Sequence, residues 1–235
     1  MITFLDLDGV IVDSIEECFE VSKKTYYKNK KFSYLNNTYR EFFFKYRGLV
    51  NPPYEYFCLH ESIEYFYKKR FDDEEFYKFF KKSSGGLSSK KKYLFEQRFF
   101  NTRKIYQEQD FKSWIKMNPL TDFGKNLKNK KHKNTFIVTT KDLDASKKIL
   151  NFYKIIVEKI YSNAEVRNAG SKGELINQVM KEKKGLEGIF IDDSTEHLDT
   201  VYDKRIKCFF ADWGYGKNTN YEAFKYKNLK PNKLT

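Results

Sequence analysis

Apolar and polar positions divide the chain into a short opening strand, a long helical segment and an alternating strand-helix region. The stretch Thr3 to Ser14, TFLDLDGVIVDS, opens with an apolar run that predicts a β-strand. Strand side chains repeat every two residues, so Asp6 and Asp8 share one face, and Gly9 permits a sharp turn directly after them. Ser14 and Glu17 have capping-box spacing, and Ile15, Cys18, Phe19 and Ser22 follow at helical intervals, which predicts a helix leaving that turn. From there to about Asn118 the chain is aromatic and charged with little alternation, as in SIEYFYKKRFDDEEFYKFFKK, and reads as several amphipathic helices. Two loops are predicted within it, at Asn51 to Tyr54 around Pro52 and Pro53, and at Ser83 to Ser89, SSGGLSS.

From Pro119 the pattern alternates. Apolar runs at Thr135 to Thr139, Ile155 to Tyr161, Gly188 to Ile191 and Ile206 to Ala211 read as buried parallel strands. Ala145 to Tyr153, Leu175 to Met180 and Thr195 to Tyr202 read as the helices between them. The opening strand has no strand neighbour close in sequence, so it completes this sheet. The expected architecture is an α/β core of residues 1–14 and 119–235, with residues 15–118 inserted as an α-helical domain.

Ligands of such sheets bind at the carboxyl ends of the strands, near a topological switch point. There the sequence places Asp6 and Asp8, then Thr139 and Thr140, then Asp192 and Asp193. Ser171 and Glu174 again have capping-box spacing, which sets Lys172 at the first position of another helix. Paired carboxylates in a crevice repel each other unless a cation, a proton or an electrophile lies between them. Four carboxylates, two hydroxyls and one ammonium make a set suited to a phosphate held by magnesium, which takes a few carboxylates together with water and substrate oxygens. Asp6, Asp192 or Asp193, and the carbonyl of Asp8 suit the metal. The Asp6 carboxylate is the expected nucleophile, Asp8 the acid and base, and Thr139, Thr140 and Lys172 the groups on the phosphoryl oxygens. Taken singly, each has a plainer explanation as a cap or a surface residue; their order and shared placement at strand ends make the chemical reading the stronger one.

Composition changes this picture little. The formal charge of +13 invites a nucleic-acid partner, but the excess is +8 over residues 15–118 and +5 over the remainder, with no Arg-rich strip, zinc spacing or aromatic RNA-binding signature. No nucleic-acid partner is expected. The aromatic stripes, including Phe42, Phe43, Phe44, Phe66 and Phe99, read as helical core. Cys18, Cys58 and Cys208 are too few and too far apart for a disulfide framework or a zinc site and are read as reduced and buried. No apolar stretch has the length of a membrane span, so no membrane contact and a cytoplasmic location are expected.

The order DLDGV, VTT, SK before GELI, and IDD resembles the four motifs of the haloacid dehalogenase superfamily. The late WGYG, Trp213 to Gly216, is similar to that of its phosphoglycolate phosphatase-like members. The resemblance implies a Rossmann-like core with a helical cap, a Mg2+ cofactor, Asp6 as nucleophile, Asp8 as acid and base, Thr139 and Lys172 on phosphate, and the acidic pair on metal. The usual Gly-Asp of the fourth motif is Asp192-Asp193 here, with Glu196 nearby, which leaves open which of these touch metal.

An aspartate two residues after the nucleophile argues against a dehalogenase, whose leaving group needs no acid. The expected activity is hydrolysis of a small organic phosphate ester through an aspartyl-phosphate, by a monomer or homodimer. A phosphomutase of the same superfamily and a catalytically inactive basic binding module are the alternatives. Substrate choice is expected to lie in the inserted domain, with Arg47, Tyr54 and His60 as candidates for reading the organic part and hinges near Asp13 and Asn118 to Leu120. His132 and His197 receive no role.

Overall fold

A computed structural model of the chain describes residues 1–28, 37–218 and 226–228. Two units are distinguished: Met1–Ser14 together with Met117–Thr235, and Ile15–Lys116. The chain opens with β1 (Ile2–Leu5) and then leaves the first unit for α1 (Ile15–Tyr27), α2 (Asn37–Tyr46), α3 (Glu55–Phe66), α4 (Asp73–Gly86), α5 (Ser89–Gln109) and α6 (Phe111–Lys116). Residues 29–36 of the expected helical segment lie outside the described residues.

Aromatic side chains build the core of this second unit. Phe19, Tyr39, Phe43, Tyr56, Phe76, Phe80, Phe95 and Phe99 are buried together, with Phe42 and Phe44 packed at the margin. The rings meet in stacked and edge-on pairs, such as Phe43 with Tyr56 at 5.8 Å and Tyr56 with Phe99 at 5.1 Å between centroids. Such pairs add to simple area burial. The Ser83 to Ser89 loop is shorter than expected. A capping box between Asp72 and Glu75 starts α4, Phe76, Phe80 and Ser84 carry its buried face to the end, and SSGG completes the last turn. Only Leu87 and Ser88 remain between the helices, and the Ser88 hydroxyl accepts the Lys91 amide at the start of α5.

One charged pair lies inside this unit. Glu17 and Arg103 are both buried, with Arg103 Nε 2.6 Å from Oε1 and Nη2 3.0 Å from Oε2, and the Trp114 indole N–H donates to Oε1 at 3.3 Å. The sequence spacing that paired Glu17 with Ser14 therefore conceals an ion pair across α1, α5 and α6. Removing one partner of such a pair strands a buried charge.

The first unit resumes with α7 (Asp122–Leu127), β2 (Lys130–Val138), α8 (Leu143–Phe152), β3 (Ile155–Tyr161), α9 (Asn163–Ala169), α10 (Lys172–Glu182), β4 (Gly188–Asp192), α11 (Thr195–Leu198), β5 (Ile206–Phe210) and β6 (Lys227–Asn228). Among the described residues the sheet is six-stranded and parallel, in the order β3-β2-β1-β4-β5-β6. The opening strand is thus central: Thr3 pairs with Thr135 on one side and Ile189 on the other. Crossing from β1 to β2 on one side and β4 on the other creates the switch point. The sheet core gathers Ile2, Phe4, Phe136, Val138, Phe190 and Phe210 with Ile176, Val179 and Met180 of α10.

β2 begins five residues earlier than its apolar run, because Lys130 and Lys131, both exposed, and the half-buried His132 pair with β3 before a register shift between His132 and Phe136. α9 was not expected, and α11 ends at Leu198 rather than Tyr202. Cys18 and Cys58 are buried, as expected, whereas Cys208 is half-buried. Among the described residues no helix is long and apolar enough to cross a membrane.

Arg103→Ala is expected to destabilise the second unit by about 3–5 kcal/mol, through the uncompensated Glu17 carboxylate. Urea unfolding followed by Trp114 fluorescence measures this, and an Arg103→Met, Glu17→Met double variant should recover most of the loss.

Candidate active site

β1 and β4 end side by side, and each delivers an acid to the same point. Asp6 directly follows β1 and Asp192 is the last residue of β4; they are 5% and 0% exposed. Lys172, at the first position of α10, stands between them, its Nζ 2.7 Å from Asp6 Oδ2 and 2.8 Å from Asp192 Oδ2. The placement follows from local structure: the Ser171 hydroxyl caps α10 by accepting the Glu174 amide at 3.0 Å. Close packing does the rest, because a Cβ on Gly173 would lie 2.2 Å from Thr200 Oγ1. The second oxygens are held by backbone, Asp6 Oδ1 by the Leu7 amide at 2.7 Å and Asp192 Oδ1 by the Ser194 amide at 2.9 Å.

One ammonium shared by two carboxylates leaves their charge only half balanced. Burial pushes the Asp6 carboxyl up to about 6, against the pull of Lys172 and with the added repulsion of Asp192. Burial would also raise Asp192, but Lys172 and His197 outweigh it and hold that carboxyl down at about 2. Lys172 is itself buried, which disfavours its charge; the two carboxylates reverse this and keep it protonated above its ordinary range.

His197, given no role from sequence, belongs to this cluster. Its Nδ1 lies 3.1 and 3.2 Å from the Asp192 oxygens, and ligand atoms of Asp6, Asp192 and His197 all fall within 4.8 Å of one another. The sequence signal was its position in the first turn after Asp193, facing back toward the strand end.

A second cluster surrounds Asp8. Ser14 Oγ donates to Asp8 Oδ1 at 2.6 Å, and Lys141 Nζ lies 2.9 Å from Oδ1 and 3.0 Å from Oδ2. Lys141 was missed because the reading of the β2 end stopped at Thr140. Thr139 is buried, and its Oγ1 accepts the Lys141 amide at 3.2 Å; Thr140 is half-buried.

Asp193 is held differently from Asp192. Its Oδ2 accepts the Tyr215 amide at 2.6 Å and the Gly216 amide at 3.4 Å, so the WGYG turn closes on this carboxylate. Tyr215 also receives the Ser14 amide on its hydroxyl, and the Trp213 indole donates to the Val10 carbonyl at 3.1 Å. Gly9 has φ +82°, and a Cβ there would lie 2.3 Å from Asp193 Oδ2. The turn after β1 can approach Asp193 only as glycine.

Arg47, Tyr54 and His60 belong to the other unit. His60 is a correction. It is fully buried, with Nδ1 2.7 Å from the Tyr39 hydroxyl and Nε2 2.8 Å from Ser22 Oγ, and its ring stacks on Tyr26, Tyr39 and Phe43. Burial lowers it to about 3, so it is a neutral core residue rather than a substrate contact. Arg47 and Tyr54 are half-buried; Arg47 donates to the Val50 carbonyl at 2.9 Å and lies over the Tyr56 ring, and Lys92 lies over the Tyr54 ring.

No protein-family model matches the chain, and no curated protein matches it. Solved structures do. A haloacid dehalogenase-like family hydrolase from Streptococcus pneumoniae aligns over 97% of this chain and 93% of its own, at 19% identity and a TM-score of 0.59. A predicted phosphatase from Clostridium acetobutylicum covers the same shares at 18% identity and a TM-score of 0.55. A predicted phosphoglycolate phosphatase from Haemophilus somnus covers 91% of this chain and 86% of its own, at 14% identity and a TM-score of 0.55. With its acids at the switch point of a 3-2-1-4-5-6 parallel sheet and its helical unit between β1 and β2, the chain has the haloacid dehalogenase-like fold.

Proposed function

We propose that the protein is a Mg2+-dependent phosphatase that hydrolyses a small organic phosphate monoester through an aspartyl-phosphate on Asp6. The observation that carries this reading is the half-compensated pair of buried carboxylates, Asp6 and Asp192, sharing the single Lys172 ammonium at the sheet's switch point.

The donors fit a hard divalent cation. Asp6 and Asp192 offer carboxylate oxygens, and burial, which raises the Asp6 carboxyl, disfavours a bare negative charge there. Asp193 and the Asp8 carbonyl are the further oxygens assigned to the ion, and His197 stands beside the set through Asp192. When bound, the cation would offset the charge of the carboxylates and of the incoming phosphate.

The chain's own groups then divide the work. An Asp6 oxygen attacks phosphorus as the ester bond breaks, and Asp8 gives its proton to the departing oxygen. Water next attacks the aspartyl-phosphate, Asp8 takes the proton, and Asp6 is released with inorganic phosphate. Lys172, Thr139 and Thr140 hold the phosphoryl oxygens as charge redistributes. Choice of the organic group is assigned to the inserted unit, with Arg47 and Tyr54 as its readers.

A screen of phosphorylated metabolites for Mg2+-dependent phosphate release tests the function directly; activity that survives excess EDTA removes the metal from the reading. Recovery of a rearranged ester in place of free phosphate would indicate a mutase. Asp6→Asn is expected to bring turnover below detection with the fold intact by circular dichroism. Asp8→Asn is expected to lower kcat by about 10²–10⁴-fold, the usual share of a positioned acid and base.

Metal binding should depend on pH. With Asp6 raised to about 6, a proton and the cation compete for its oxygens below that pH, whereas Asp192 stays ionised. Mg2+ affinity by titration calorimetry is expected to be level near pH 7.5 and to fall about tenfold per pH unit below 6. An affinity unchanged between these ranges would place the ion away from Asp6.

A further inference from the structure

Lys141 is a lysine with no exposed side-chain area, placed where the proposed reaction moves its protons. Its Nζ spans both oxygens of Asp8, at 2.9 and 3.0 Å, from a position 133 residues further along the chain. Its backbone is fixed on both sides: the amide donates to Thr139 Oγ1 at 3.2 Å, and the carbonyl accepts the Asn163 amide at 3.1 Å. The end of β2 and the start of α9 therefore set where the ammonium can reach.

An aspartate side chain has few torsions, but in a crevice that accepts a substrate it needs a reason to stay in one of them. The Ser14 hydroxyl meets Oδ1 at 2.6 Å, a single-point contact. An ammonium in contact with both oxygens, as Lys141 is, constrains the plane of the carboxylate. A buried pair of this kind is weak evidence for stability in itself, since apolar replacements of similar volume are often tolerated. Geometric control of a reacting group is what the pair supplies.

We propose that Lys141 is a positioning residue that holds the Asp8 carboxyl group for both proton transfers; this rests on the phosphatase reading given above. In the first half-reaction the phosphorus forms a bond to Asp6 and loses its bond to the ester oxygen, which takes the Asp8 proton. In the second, a water oxygen bonds to phosphorus, the phosphorus–Asp6 bond breaks, and the water's proton goes to Asp8. The role requires no change in the charge of Lys141.

The test compares full-length wild type, Lys141→Met and Lys141→Arg in Mg2+ on two esters. Glycerol phosphate has a poor leaving group that needs a proton; p-nitrophenyl phosphate has a good one that departs without it. For Lys141→Met the expected result on glycerol phosphate is a fall in kcat of about 100-fold, as misplacing an acid and base would give, with KM changed less than about threefold. On p-nitrophenyl phosphate the same variant should release a rapid burst of about one p-nitrophenolate per site and then turn over slowly, because only the second half-reaction still needs Asp8. Lys141→Arg, which can still meet both oxygens, should recover most of kcat on both esters.

Equal losses on the two esters with no burst, or a change confined to KM, would overturn the assignment. Circular dichroism checks each fold, and should Lys141→Met fail to fold, Lys141→Gln is read by the same ester comparison and burst. A wild type that releases phosphate from neither ester in Mg2+, nor from any other, sinks the phosphatase reading and this assignment with it. An active wild type matched by folded Lys141 variants sinks this assignment alone.

Discussion

A single ammonium between two buried carboxylates sets the terms for the rest of the first unit. Lys172 touches Asp6 and Asp192 at once, and none of the three is appreciably exposed. Burying ions is costly, and the protein meets that cost with geometry: a capped helix start, a glycine packed on Thr200, and backbone amides on the remaining carboxylate oxygens. The balance is deliberately incomplete. Asp192 is held firmly ionised, whereas Asp6 keeps a carboxyl poised near 6. Of these two carboxylates, the one assigned as nucleophile is the one whose charge the fold disfavours.

The two lysines divide the acids between them. Lys172 serves Asp6 and Asp192, and Lys141 serves Asp8, so the two aspartates that follow β1 are governed by different strand and helix ends. Side chains two residues apart on one strand would otherwise share one environment. β1 ends at Leu5, before either acid, and Lys172 and Lys141 then give each its own partner, while Asp193 packs against Gly9 and is tied to the WGYG turn. Environment, more than residue type, is what lets neighbouring carboxylates take unlike roles.

Much of this was legible in the sequence, for a physical reason. Buried parallel strands are continuous apolar runs, and polar residues abruptly ending such runs mark strand ends, so the placement of Asp6, Asp8, Thr139 and Asp192 at or just after the ends of β1, β2 and β4 could be read from pattern alone. Lys141 and His197 could not, because lysine after a strand and histidine on a short helix are ordinary surface features until tertiary contacts pair them with the acids. His60 failed in the opposite direction: a histidine in an irregular aromatic stretch resembles a ligand contact, yet Tyr39 and Ser22 satisfy both ring nitrogens inside the core. The SSGG stretch was misread because its glycines sit in the last turn of α4, where the buried face of Phe76, Phe80 and Ser84 outweighs their poor helix propensity. The charged half of β2 was invisible to a hydrophobic pattern for want of any buried side chain.

The central place of β1 bears on how the chain comes to be made. Thr3 finds its partners at Thr135 and Ile189, so β1 leaves the ribosome before both of its neighbours and waits for them while the whole helical unit, with its local contacts, is synthesised and can fold. During that interval an apolar strand with two unpaired edges is left open to pairing with other strands. The insertion between β1 and β2 thus carries a kinetic burden: every residue added to it lengthens the wait of the strand on which the sheet is built.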